Sequence, residues 1–333
     1  MEYRREIDGI RAIAVTSVVF YHFWPDFFKY GYLGVDVFFN LSGFLITLYI
    51  TETTLNKTFN FRTFYERRIR RILPVTLFVL FVNFWISTFI LLGTDYQRFI
   101  ESLLASLTFT SNIYFWRDGG YFGQADSLKP LLHIWSLSVE EQFYLFFPLI
   151  FVLILKSSKS IFIHLFLLAG FSLVSFISLL YLMQIGGTNP AFFLTPFRAW
   201  QFSLGSISAL IYFKYRYQHT PMSIYLSIIL IALGFSLLSD FVNPGFIVTM
   251  GSALFLSMSY RKTFVLHPFF ESSFVRYLGL ISFSTYLWHW PLLVFLGYVA
   301  MGQPNTYSLM TVLLLTYLLS VFSYQIIEQP FRM

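Results

Sequence analysis

The chain has 333 residues, of which 57% are hydrophobic and only 11% charged, and its formal net charge is +6. It contains no Cys, which excludes disulfides, thiol catalysis and zinc sites built on thiolates. Long apolar runs recur throughout and the basic residues fall at their ends, so the positive charge speaks for membrane orientation and against a nucleic-acid partner. No polar stretch is long enough to fold by itself, and residues 1–333 read as one integral membrane domain.

Eleven apolar segments follow one another near 9–24, 31–51, 73–93, 97–114, 136–155, 161–183, 197–213, 223–239, 244–259, 276–298 and 306–327. The first is not followed by a small-residue cleavage site and reads as an uncleaved anchor. The fourth carries Arg98, Glu101, Ser102, Ser106 and Asn112, and reads as a re-entrant or surface helix. The distribution of Lys and Arg decides between topologies. With a cytosolic N-terminus and 97–114 not crossing, ten spans remain and both termini are cytosolic. Only Lys29, Arg98, Arg117, Lys129 and Arg198 then lie outside, and the other 17 of the 22 basic residues lie inside. If 97–114 crosses, every later loop flips and the split falls to 12 against 10. The expected fold is therefore all-α, with about ten transmembrane helices. Residues 94–135, which include Tyr121, Gln124 and Asp126, form an outer excursion, a kind of segment that is often functional. No internal repeat is visible, so an inverted-repeat transporter gains no support.

Arg11 and His22 stand eleven residues apart in the first apolar segment. That is close to three helical turns, which puts both side chains on one face about 16 Å apart. A ligand with an anionic head and a long thin arm would fit that line. The bland alternative is that Arg11 snorkels to headgroups and His22 is a bonded helix-end residue. Arg67, Arg68, Arg70 and Arg71 precede Pro74 and repel one another unless an anion neutralises them. Guanidinium groups hold phosphate bidentately, although a positive anchor on anionic lipids has the same composition. A second group, His22, Asp26, Asp36, Glu140, Glu141 and His289, gathers toward the outer side. A His with a carboxylate partner is a general-base arrangement, and Asp26 or Asp36 could serve His22. Pro25 makes helix continuity to Asp26 doubtful. His289 reads as a packed belt residue ahead of a catalytic one. No HxxxH or HExxH spacing exists, so no metal site is expected.

These strings together resemble the acyltransferase 3 family of bacterial membrane proteins. They are Asp8-Gly9-Ile10-Arg11-Ala12 with His22, Gly34-Val35-Asp36-Val37-Phe38-Phe39 with Ser42-Gly43-Phe44-Leu45-Ile46, and the Arg67–Pro74 cluster. Further matches are Trp135 through Tyr144, Ser284 through Pro291, and Glu328-Gln329-Pro330. They occur in the family's order across essentially the whole chain. Asn40 departs from the pattern, which more often has a bulky apolar residue there. Many larger members carry an SGNH-type domain after the last motif, so this chain resembles a stand-alone member.

The resemblance implies a membrane O-acyltransferase of the bacterial inner (plasma) membrane. It would move an acetyl group from cytosolic acetyl-CoA to a hydroxyl of an extracytoplasmic or lipid-linked glycan, in modification of cell-envelope polysaccharide. It assigns Arg11, Arg67, Arg68, Arg70 and Arg71 to the donor, with the pantetheine arm running outward along the Arg11–His22 line. His22, oriented by Asp26 or Asp36, would deprotonate the acceptor. Direct transfer and an acyl-histidine route both remain open. Glu140 and Arg198 would orient the acceptor, with Trp288, His289 and Asn40 as further substrate contacts. Two rivals need no chemistry: an exporter of a glycan or lipid-linked sugar, and a scaffold in polysaccharide assembly.

Overall fold

The computed structural model describes residues 3–119, 128–215, 221–235, 243–258, 267–301 and 304–332, and contains no strand among them. Tyr121, Gln124 and Asp126 of the outer excursion lie outside the described residues, as do Arg216, Arg261 and Lys262 of the charge distribution. The helices are α1 Arg5–Phe23, α2 Gly34–Leu55, α3 Phe61–Ile90, α4 Gly93–Leu107, α5 Ser111–Arg117, α6 Ile134–Ser157 and α7 Ile161–Gln184. They continue with α8 Thr188–Phe193, α9 Thr195–Tyr215, α10 Pro221–Phe235, α11 Pro244–Met258, α12 His267–Glu271, α13 Ser273–Ala300, α14 Thr306–Ser323 and α15 Gln329–Arg332. Each of the ten stretches read as a span contains a helix. By length and apolar composition six qualify as membrane-crossing, at 31–55, 61–90, 134–157, 161–184, 273–300 and 306–332. The described parts of α10 and α11 are shorter, and α1 and α9 carry charged side chains within them.

The stretch 97–114 is not one helix. It breaks at 108–110, where Phe109 takes a left-handed φ of +53° and the Thr108 and Thr110 hydroxyls lie 2.9 Å apart. The result is an amphipathic α4 followed by the short α5. Helix α3 differs the other way. It begins twelve residues before the expected apolar start, where the Asn60 side chain accepts from the Thr63 amide at 3.2 Å. The four arginines thus belong to the spanning helix itself. At 30 residues α3 is about 45 Å long. That exceeds a hydrocarbon core of about 30 Å, so its polar first turns extend beyond the apolar stretch.

The chain divides into two compact units, with boundaries between α2 and α3, inside α6 and inside α13. Unit 1 comprises 1–59 and 142–280, and unit 2 comprises 60–141 and 281–333. In unit 1, α2 is buried along most of its length and packs against α1, α9 and α11. The approach of α2 and α9 is set by two glycines. A Cβ on Gly43 would come within 2.0 Å of the Phe202 carbonyl oxygen, and one on Gly205 within 2.0 Å of the Asn40 carbonyl oxygen. Small residues at such crossings let membrane helices approach backbone to backbone. Rings seal the seam: Phe39 stacks on Phe202 at 4.6 Å, Phe202 on Phe143 at 4.3 Å, and Phe143 on Phe147 at 4.5 Å. Arg4, one of the basic residues assigned to the cytosolic side, is buried, with its guanidinium 4.3 Å from the Tyr212 ring and bonded to the Leu256 carbonyl.

Unit 2 is built on α3, α4, the start of α6, most of α13 and the C-terminal helices. A π-helical turn at Tyr324–Glu328 brings the fully buried Glu328 to α13, where the Ser284 hydroxyl donates to it at 2.9 Å. Arg332 pairs with the same carboxylate. Two of the motif strings, far apart in sequence, are therefore one hydrogen-bonded clamp.

Candidate active site

Unit 1 holds Arg11, His22, Asp26, Asp36, Asn40 and Arg198, and unit 2 holds Arg67, Arg68, Arg70, Arg71, Glu140, Trp288 and His289. Helix α1 runs unbroken from Arg11 to His22, so the two share one rigid element about 16 Å apart. Arg11 is buried and its Nη1 lies 3.4 Å from Asp8 Oδ1. Asp8 also accepts from the Tyr3 hydroxyl. His22 occupies the last turn, half-buried, with its ring 5.0 Å from that of Tyr21.

Neither aspartate is bonded to His22. Helix α1 ends at Phe23, and Trp24, the residue before Pro25, leaves helical geometry with φ −140°. Asp26 consequently loses the i,i+4 relation to His22, and it sits in an exposed turn with no hydrogen bond or ion pair among the described residues. Asp36, in the first turn of α2, is buried and engaged by Arg198. The Arg198 Nη1 donates to Asp36 Oδ1 at 3.2 Å, while its Nε donates to the Phe192 carbonyl at 2.9 Å. The guanidinium lies 4.7 Å from the Phe192 ring centre. Arg198, expected at the acceptor, is thus held by Asp36. Gln201, one turn further along α9, stands close enough to polarise Asp36 but outside hydrogen-bonding geometry. Both its amide atoms are buried without a partner among the described residues. Asn40 is fully buried too. Its Nδ2 donates to the Thr249 carbonyl at 3.1 Å and its Oδ1 has no partner among the described residues. Tyr144 donates to Ser42 at 2.8 Å beside it on α2.

The arginine cluster divides by helix face. Arg67 and Arg70 are exposed, and Arg70 pairs with Glu66 at 2.7 Å. Arg67 has no partner among the described residues. Arg68 and Arg71 are half-buried and act electrostatically on Glu141, about two helical turns into α6. Glu141 Oε1 is shielded from solvent and accepts no hydrogen bond among the described residues. Glu140, half-buried, stands next to it. Pro74 lacks the amide that would bond the Arg70 carbonyl, so that carbonyl is free of the helical ladder at the cluster's end.

Trp288 and His289 are core residues of unit 2. Trp288 Nε1 donates to Ser323 at 2.8 Å, and its ring meets Phe78 edge-on. The His289 Nδ1 is 2.6 Å from the Tyr286 carbonyl, which fixes a proton on that nitrogen. His133, which no titratable grouping in the sequence marks, completes this network. Its Nε2 lies 3.1 Å from the Leu287 carbonyl, its ring stands 5.8 Å from that of His289, and Nδ1 has no partner among the described residues. The signal is its place two residues before Trp135, just ahead of the Trp135–Tyr144 motif.

Residues 4–325 match the acyltransferase 3 family, described as an acyltransferase domain. A Staphylococcus aureus protein (strain NCTC 8325) named O-acetyltransferase OatA is 32% identical over 353 residues, covering 99% of this chain and 57% of that protein. The OatA of strain COL gives the same figures. A further S. aureus protein (strain MSSA476), provisionally named as an O-acetyltransferase, is 32% identical over 355 residues, covering 100% of this chain and 58% of its own length. The chain thus spans somewhat over half the length of these curated relatives. No solved structure matches. The chain belongs to the acyltransferase 3 family, and its residues 4–325 are an acyltransferase domain.

Proposed function

We propose that this chain is a membrane O-acetyltransferase that moves an acetyl group from acetyl-CoA to a hydroxyl of an extracytoplasmic or lipid-linked glycan. The observation that carries the reading is the family match over 4–325, beside relatives named O-acetyltransferase. The whole chain acts as one domain, crosses the inner membrane ten times and has both termini in the cytosol. Support for that topology comes from the distribution of Lys and Arg.

Arg68 and Arg71, which share one face of α3, hold the donor's phosphates, and Arg11 guides the arm. Arg67 and Arg70, on the exposed face, contact lipid headgroups. His22 takes the proton from the acceptor hydroxyl, the oxygen attacks the thioester carbonyl, and the carbon–sulfur bond breaks. The proton held by His22 then goes to the departing thiolate. Asp36 contributes by holding Arg198, which positions the acceptor. Glycan export and scaffolding predict no acyl chemistry. Single-turnover transfer of labelled acetyl from acetyl-CoA by the purified chain separates the readings, and no label in any glycan product would overturn the enzymatic one.

A further inference from the structure

We propose that unit 2 carries a binding cleft for a neutral sugar ring, formed by α4, α5, residues 128–130 and the end of α13, and held by Asp95, Arg98, Tyr114 and Tyr298. The cleft stands on its own geometry; only in making that sugar the acetyl acceptor does it rest on the function proposed above.

The space is small, ≈80 Å³, well below the roughly 300–1,000 Å³ of sites that enclose a drug-sized ligand, so the cleft takes the edge of one ring and not a whole chain. Its walls are chemically mixed in a specific way. Two carboxylates, Asp95 and Asp118, face two cations, Arg98 and Lys129, so the site has no net charge. Lys129 Nζ lies 2.8 Å from Asp118 Oδ2, which neutralises that pair internally. The other two keep binding capacity. Asp95 accepts one hydrogen bond, from the Tyr298 hydroxyl at 3.1 Å, and the Arg98 guanidinium has no partner among the described residues. A carboxylate with spare lone pairs beside an unengaged fork of N–H donors suits adjacent hydroxyls, which both donate and accept. An anionic ligand such as a lipid phosphate would meet two carboxylates here and is disfavoured.

The aromatic walls point the same way. Tyr114 and Tyr298 offer apolar faces with a polar tip, against which the C–H face of a pyranose packs while its hydroxyls reach the charged groups. The Tyr114 hydroxyl is held within the wall, donating toward Glu101 Oε2 at 3.2 Å and the Arg98 carbonyl at 3.3 Å, which fixes the ring and leaves its face for the sugar. An open groove lined by Thr110, Ile113 and Arg117 shares Tyr114 and Asp118 with the cleft, which leaves room for further sugars of a chain. The cleft wall also joins the buried motif network, since Trp290 Nε1 donates to the Lys129 carbonyl at 2.8 Å.

The test uses the full chain, purified in detergent, with maltotriose and chitotriose as neutral probes. Binding is read by saturation-transfer NMR and by calorimetry, beside acetyl-CoA titration on the same preparations. Wild-type protein should bind at least one of the trisaccharides. Asp95→Asn, which keeps the shape, and Arg98→Gln, at an exposed position, should each weaken it about tenfold or more. Acetyl-CoA affinity should hold within about twofold, as for a separate site. Tyr298→Leu should also abolish sugar binding, and if it misfolds the other two variants still decide. Wild-type protein that binds neither sugar, or variants that bind as wild type does, would overturn the cleft. So would inorganic phosphate bound in the sugar's place and lost in Arg98→Gln. Sugar binding lost in the variants, with no acetyl transfer by the wild type, would sink the acetyltransferase reading and leave the cleft standing.

Discussion

Asp36→Asn keeps the shape of a buried side chain and removes its charge, which makes it the sharpest probe of what Asp36 does. The side chains of Arg198 and Asp36 are only 11% and 5% exposed. Removing one partner of such a pair strands a buried charge at about 3–5 kcal/mol. Arg198 is not wholly stranded, because its Nε keeps the Phe192 carbonyl at 2.9 Å and its guanidinium keeps the Phe192 ring. A desolvated cation–ring contact offsets up to about 2 kcal/mol, so the expected loss lies near the lower end, about 3 kcal/mol. Arg198→Gln leaves Asp36 with Gln201 as its polar neighbour and should cost about 3–5 kcal/mol. The double variant puts two neutral amides together and should cost less than the sum of the singles by at least about 1.5 kcal/mol. The assay is equilibrium unfolding in mixed micelles, read by tryptophan fluorescence, with transfer rates normalised to folded protein. Additive losses, or a loss below about 1 kcal/mol for Asp36→Asn, would refute the buried-pair account. A fall in kcat with stability unchanged would instead make Asp36 the partner of His22.

Three further outcomes are expected. His22→Ala should lower glycan acetylation by at least about a hundredfold while acetyl-CoA binding stays within a few-fold, because a general base acts on the transition state; a variant keeping more than about a tenth of the rate would rule that role out. Arg68→Gln with Arg71→Gln should raise the acetyl-CoA dissociation constant at least about tenfold, and Arg67→Gln with Arg70→Gln should change it less, since only the first pair shares the half-buried face; calorimetry giving equal effects would dissolve the distinction. As the chain has no Cys of its own, single cysteines at Asp118 and Lys159 report topology cleanly. An impermeant thiol reagent should reach them from opposite sides, and same-side labelling would refute the ten-span topology.

Apolar runs made the helices legible, since twenty or so residues without charge have few alternatives in a bilayer. The start of α3 was not legible in that way. Its first turns are arginine-rich, so only the Asn60 cap marks them. Spacing within one helix carried the Arg11–His22 alignment and made the four arginines near neighbours, without dividing them by face. It could not show which face meets Glu141, because that depends on where α6 lies in unit 2. For Asp26 the sequence carried its own warning, since Pro25 forbids the helix that the i,i+4 relation needs, and α1 ends at Phe23. Asp36 and Arg198 are 162 residues apart, and no periodicity records such a pairing. The same limit hid the Ser284–Glu328 bond, although both residues belong to family motifs.

A motif string therefore mixes two kinds of residue that only tertiary contacts separate. Glu328, Trp288 and Asp36 spend their polar atoms on framework partners, and substituting them should be felt first as lost stability. Glu141 Oε1 and the Gln201 amide are shielded from solvent and without partners among the described residues. A buried polar atom left unbonded costs about 1–3 kcal/mol, and a fold keeps several only where something else returns the bond. Donors and acceptors at these atoms are therefore the first contacts to seek when the protein is studied with donor or acceptor bound. Glu141 is the more informative of the two, because it stands with Arg68 and Arg71, the pair assigned to the donor's phosphates.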